Sequence, residues 1–145
     1  MLNDTDLADL VGFYERDDAA DAVERWRMLF DPSADGPIAL VNRFTLREHA
    51  HYGDDRAAVG GLEAFMTYAA TSVPALARVG GRFLVSGPVL ASMFGPSDGT
   101  QVVVVGWFPD RAALLTMLRD PEYRGAFEHR RAAVVAESVV AANAL

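Results

Sequence analysis

Four valines in succession, Val102 to Val105, followed by Gly106-Trp107-Phe108, constrain this chain more than any other stretch. β-branched side chains are stiff at χ1 and favour extended backbone. A run that is apolar at every position suits a strand covered on both faces. Its surroundings define what it joins. The turn residues Gly95-Pro-Ser-Asp-Gly99 precede it, so Gln101 to Phe108 reads as the second arm of a hairpin and Arg82 to Phe94 as the first. After it, Asp110 can cap a helix with Leu114, Leu115, Met117 and Leu118 inside. Asp120-Pro121 fits a second N-cap with proline in the first helical position. Tyr123, Phe127 and Val134 continue the buried stripe, and Ala136 to Ala142 reads as a last strand.

Upstream, Ile38 to Glu48 alternates as a strand: Ile38, Leu40, Phe44 and Leu46 share one face, interrupted by Asn42, and Val41, Arg43, Thr45 and Arg47 share the other. From about Gly61 to Val79 the spacing predicts a helix burying Leu62, Phe65, Met66, Ala69, Val73 and Leu76. Pro74 should kink that helix or split it at Thr71-Ser72, and Gly80-Gly81 should end it. The order strand, helix, strand, strand, helix, strand predicts an α+β, ferredoxin-like βαββαβ domain, a four-stranded antiparallel sheet with helices on one face. The other face then carries Val103, Val105 and Trp107 beside Val41, Arg43 and Thr45. A patch of that kind is seldom left in water, so a homodimer paired through its sheet faces is expected.

Residues 1–36 differ in composition. They hold ten acids against Arg16, Arg25 and Arg27, which accounts for the whole net charge of −7. Asp4-Thr5-Asp6 can cap a helix with the stripe Leu7, Leu10, Val11 and Tyr14; Asp17-Asp18 can start a second with Ala22, Val23, Trp26, Leu29 and Phe30. Both are too short to stand alone in water, so they must dock on the body or on a partner subunit. The turn-rich stretch Asp31 to Pro37 separates this helical extension from a domain spanning 37–145. An acidic arm on a neutral body argues against a nucleic-acid partner.

All 13 basic residues are arginine and cysteine is absent. Schiff-base chemistry, a P-loop lysine, thiolate metal sites and cysteine nucleophiles are therefore excluded. No apolar run reaches the length of a membrane span, and the first residues are acidic rather than signal-like, so a cytoplasmic location is expected and no membrane partner. No dinucleotide fingerprint or nucleophile elbow is present, and no cofactor is expected.

Several pieces then line up: Val41-Asn42-Arg43-Phe44, Ala50-His51-Tyr52, Gly61 to Tyr68, Pro74 to Gly81, Gly95-Pro96, Phe108-Pro109, Met117, Asp120 to Tyr123 and His129-Arg130. In this order the chain resembles the family called domain of unknown function 1330, within the dimeric α+β-barrel superfamily. The resemblance runs over residues 37–145. It implies a ferredoxin-like subunit whose sheets pair face to face into a barrel, and no established reaction. Relatives in the wider superfamily include cofactor-free monooxygenases, isomerases, cyclases and dehydratases, alongside stress-response and binding modules. The chain departs from the pattern at Gly99-Thr100, where similar sequences often carry Trp-Asp, and residues 1–36 have no counterpart.

Candidate chemistry concentrates in a few side chains. His129 could serve as acid or base with Arg130 holding an anion; alternatively Arg130 pairs with Glu63 or Glu122. Arg43 and Asn42 interrupt a buried strand. Arg43 must meet a carboxylate such as Glu48, a ligand anion or a wet cavity, with Trp107, Phe83 and Val105 as its surroundings. Tyr68, Trp107 and Tyr123 would complete the walls. His49 and His51, two apart, could bind metal with His129, Asp54 or Asp55, or merely occupy a polar loop; no metal is expected. The leading expectation is a small, partly apolar, anionic ligand held by these residues, turned over by proton transfer if the protein is an enzyme. The rival is a non-catalytic binding or assembly module.

Overall fold

A computed structural model describes residues 2–15 and 21–144 of the chain. The proposed helix start at Asp17-Asp18 lies outside the described residues. In order, the elements are α1 (Asp4–Tyr14), α2 (Ala22–Leu29), β1 (Ile38–Leu46), α3 (Gly61–Arg78), β2 (Arg82–Pro88), β3 (Val102–Phe108), α4 (Arg111–Arg119), α5 (Pro121–Ala133) and β4 (Val134–Asn143). The four strands form one antiparallel sheet in the order β2-β3-β1-β4, the ferredoxin-like arrangement that the alternation predicts.

Register decides which side chains meet. Ile38 pairs with Phe108, Leu40 with Gly106, Asn42 with Val104 and Phe44 with Val102, and helices α3, α4 and α5 cover the face these residues share. Ala39, Val41, Arg43 and Thr45 point the other way with Val103, Val105 and Trp107. Val85 and Val140 extend this second face onto β2 and β4. Among the described residues no helix lies over it.

The caps form where the residues place them. Asp110 accepts from the Ala113 amide at 2.7 Å and Asp120 from the Glu122 amide at 2.9 Å. Asp120 also takes Arg78 Nη2 at 2.8 Å, tying the start of α5 to the end of α3. At α1 the cap is Asn3, one residue before the expected Asp4-Thr5-Asp6, in a reciprocal box with Asp6. α1 docks on the body: Leu7, Leu10 and Val11 are buried, and Phe13 and Tyr14 pack on Phe127 at 4.7 and 5.2 Å between ring centres. Part of the acidic charge is matched locally, Asp9 by Arg124 at 2.9 Å and Glu15 by Arg25 at 3.0 Å.

Three expectations are corrected. Pro74 neither splits nor ends α3, because Pro74 and Ala70 both face solvent and water can satisfy the Ala70 carbonyl that the proline cannot. The buried stripe of α3 is Ala64, Phe65, Tyr68, Ser72, Ala75 and Leu76; Leu62, Met66 and Val73 are exposed, so the helix is turned toward its smaller residues and its tyrosine. β2 stops at Pro88, well short of Phe94; just past it the Val89 amide still donates to the Gln101 carbonyl at 2.8 Å, and the Pro88 nitrogen faces the open edge of the sheet, where a proline is tolerated. The following Leu90, Met93 and Phe94 stand almost wholly exposed. His49 and His51 lie in a loop, as their surroundings predict, with His49 forming an isolated bridge to Gly60 and its side chain 80% exposed. Among the described residues no cluster of metal-binding side chains forms, and no helix is long and apolar enough to cross a membrane.

Candidate functional site

Between the sheet and its helices lies a cavity of about 80 Å³. Leu40, Phe44, Val104, Gly106 and Phe108 form its floor; Phe65, Leu76, Leu114 and Leu118 are among its walls. Its polar lining comes from five elements, Tyr14 from α1, Asn42 from β1, Ser86 from β2, Tyr68 and Ser72 from α3, and Tyr123 and Arg130 from α5. α5 brings the last two together because residues seven apart return to within about 20° on a helix, at about 100° per residue.

Arg130 is only 2% exposed. Its guanidinium carbon sits 4.8 Å from the centres of both Phe44 and Phe127, rings whose faces attract a cation. The nitrogens are all engaged. Nη1 donates to Tyr68 Oη at 3.2 Å, Nη2 to Tyr14 Oη at 3.2 Å and to Glu137 Oε1 at 3.3 Å, and Nε to Glu137 Oε2 at 3.5 Å. Burial opposes this charge, but Tyr14, Tyr68 and Glu137 outweigh it and hold Arg130 above the ordinary guanidinium range. The partner carboxylate is thus Glu137 on β4, and neither Glu63 nor Glu122. Tyr68 and Tyr123 share a hydrogen bond at 3.0 Å. Burial raises the Tyr123 phenol well above its ordinary value and, less strongly, that of Tyr14.

Asn42 donates its amide to the carbonyls of Leu40 at 3.3 Å and Val104 at 3.1 Å. Both acceptors belong to the sheet, which fixes the amide nitrogen toward the strands and turns Oδ1 away from them.

The remaining expected site residues lie elsewhere. His129 is six positions from Tyr123, about 120° round the helix from it, and does not join the cavity. Its Nδ1 lies 2.6 Å from Tyr52 Oη in a hydrogen bond, with Glu128 3.7 Å from Nε2. Arg56 stacks over the Tyr52 ring at 3.9 Å and pairs with Asp54. Arg43 is on the uncovered face, paired with Asp98 at 3.2 Å and not with Glu48. Trp107 shares that face, under Arg82 at 4.6 Å, whereas Phe83 pairs opposite Gly106 on the helix side and so cannot line a chamber with Arg43. Two residues that sequence reasoning missed complete the site. Tyr14 belongs to a segment that has no counterpart in the family pattern, and Glu137 sits in a strand of small apolar residues, where its lone charge was the available signal.

A ferredoxin-like subunit with a small cavity behind its sheet is the class these observations define. The family model described as "Domain of unknown function (DUF1330)" matches residues 56–144, and the chain belongs to that family. Among solved structures it is similar to methylated RPA0582 protein, with 32% identity, TM-score 0.75, and 89% of this chain and 93% of that one covered. A second structure of RPA0582, a protein of unknown function from Rhodopseudomonas palustris, shares 32% identity at TM-score 0.73 over 89% and 95% of the two chains. No curated protein matches the chain.

Proposed function

We propose that the protein is a homodimer that holds a small, partly apolar organic molecule in the cavity between its sheet and helices. The observation that carries this reading is the cavity itself, apolar on most sides with Asn42, Tyr68, Tyr123 and Arg130 converging on it. A few placed polar groups in an apolar recess are the usual makings of a ligand site. Arg43 and His129, paired outside the cavity with Asp98 and Tyr52, are given no part in it. Binding is therefore the primary activity proposed, since the cavity walls carry no carboxylate or imidazole base.

Dimerisation follows from the uncovered face. Val41, Val85, Val103, Val105, Trp107 and Val140 lie together on one side of a four-stranded sheet, with no helix over them among the described residues. Pairing two such faces removes them from water at about 25 cal/mol per Å².

Native mass spectrometry of the purified protein tests both parts. The expected result is twice the 15.7 kDa chain mass, with a small-molecule excess that disappears in Ala69→Phe, which fills the cavity from its half-buried wall. A monomer refutes the first part. An excess that survives Ala69→Phe refutes the second.

A further inference from the structure

The loop between β2 and β3 carries apolar side chains where the subunit itself gives them almost nothing to touch. From Val89 to Gly99 every residue is exposed, and Leu90, Met93 and Phe94 are 98–100% exposed. Single apolar residues on a surface need no explanation, but three large ones gathered on one short loop mark an interaction surface. The loop is firmly tied at its root. Val89 donates its amide to the Gln101 carbonyl at 2.8 Å, and Gln101 donates its own to the Phe44 carbonyl at 2.8 Å. The Leu46 amide donates to Gln101 Oε1 at 2.8 Å, and Thr45 Oγ1 donates to the Gly99 carbonyl at 2.9 Å. Arg43 Nη1 reaches Asp98 at 3.2 Å. Arg43 and Thr45 belong to the uncovered side of the sheet, with Val103 opposite Arg43 in the ladder. The arm is therefore rooted at the rim of the valine face.

We infer that Leu90, Met93 and Phe94 of each subunit reach across to a second copy of this chain and are buried against it, arm and sheet face forming one interface. This rests on the sheet-face dimer proposed above and adds a contact that the faces alone do not require. Size selects the occupant. Three such side chains bring roughly 150–200 Å² each, short of the about 800 Å² per partner of a stable interface. Whatever covers the arm must also cover its surroundings, and the apolar ground beside its root is the sheet face. A second copy carries the same face and the same arm, and a two-fold contact lays each arm on the other subunit in exchange. The bonds from Arg43 and Thr45 hold the root in place, which lowers the entropy lost when the tip docks.

The chain has no cysteine, so a thiol placed in the arm is unique. Phe94→Cys is labelled with acrylodan, whose emission moves to the blue when it leaves water, and followed through a dilution series while analytical ultracentrifugation gives the mass. Blue emission from the dimer, shifting to green as dilution yields the monomer, is the expected result. The triple variant Leu90→Ser, Met93→Ser, Phe94→Ser is expected to weaken dimerisation about a hundredfold or more, since three buried apolar side chains are lost from each arm. Its far-ultraviolet dichroism should match the wild type, because within the subunit these side chains make next to no contact. A dimer whose label stays green, a label that is blue in the monomer as well, or a dimer affinity that survives the triple substitution overturns the inference and leaves the sheet-face reading standing. A monomer at every concentration removes both.

Discussion

A charged guanidinium is affordable in the core only where every nitrogen finds a partner, and Arg130 meets that condition through three tyrosine and carboxylate neighbours and two phenylalanine faces. The same packing governs the tyrosines. Tyr14 and Tyr123 have phenols raised by burial, so in the folded state they keep their protons at a pH where the unfolded chain releases them. Their contribution to stability is complete below about pH 10, the unfolded tyrosine value, and falls as pH climbs toward the folded values. An ultraviolet titration of the four tyrosines is expected to leave Tyr14 and Tyr123 silent until the far-ultraviolet dichroism collapses. Full ionisation near pH 10 with native dichroism intact would contradict the burial. Sequence reading found Tyr68, Tyr123, Asn42 and Arg130 because each is a polar or amphipathic residue at a core spacing. It grouped His129 with them because neighbours in sequence look like neighbours in space, and only helical phase separates them.

Elements show where spacing is decisive and where it is not. The caps at Asp110 and Asp120 were legible because a short acidic side chain before a helix has one obvious partner, the orphan amides of its first turn. The face of α3 was not legible: large apolar residues occupy both sides of it, and the choice falls to the tyrosine and serine that fit against the sheet and α5. Two glycines make opposite predictions. A Cβ at Gly61 would stand 1.8 Å from the Arg47 carbonyl oxygen, backbone against backbone, whereas one at Gly125 on α5 would meet nothing. Gly61→Ala is expected to cost about 2 kcal/mol or more, like other overpacked sites. Gly125→Ala should gain roughly 0.5–1 kcal/mol through helix propensity. Urea midpoints measure both. Asp120 offers a pH test. Arg78 and the α5 amides hold its carboxyl below the ordinary aspartate value, so its stabilisation is present above about pH 3.9 and is lost as pH falls through the depressed value. Asp120→Ala should cost about 1 kcal/mol near neutrality and flatten the acid limb of the stability profile.

For the whole molecule, α1 and α2 share one core with the sheet and its helices, Leu7 and Leu10 being buried beside Phe127 and Leu114. Leu10→Ala is expected to destabilise the entire protein by about 2–5 kcal/mol in a single unfolding transition. A separate early transition would show instead that α1 and α2 melt independently. The strand order has a consequence for the order of events during synthesis. β1 lies between β3 and β4, so its first residue, Ile38, pairs with Phe108 on one side and with Asn143 on the other. An emerging chain must therefore hold an apolar strand without a sheet neighbour until β3 has been made, and with one edge unpaired until β4 follows. The family match, starting at residue 56, omits this strand altogether, and a fragment cut to that match would leave β3 and β4 with a gap between them. Contacts this distant along the chain slow folding, because the entropy of closing long loops is spent before any pairing rewards it. The sheet can close only when β4 has left the ribosome, and until β3 emerges β1 is the segment most in need of a chaperone.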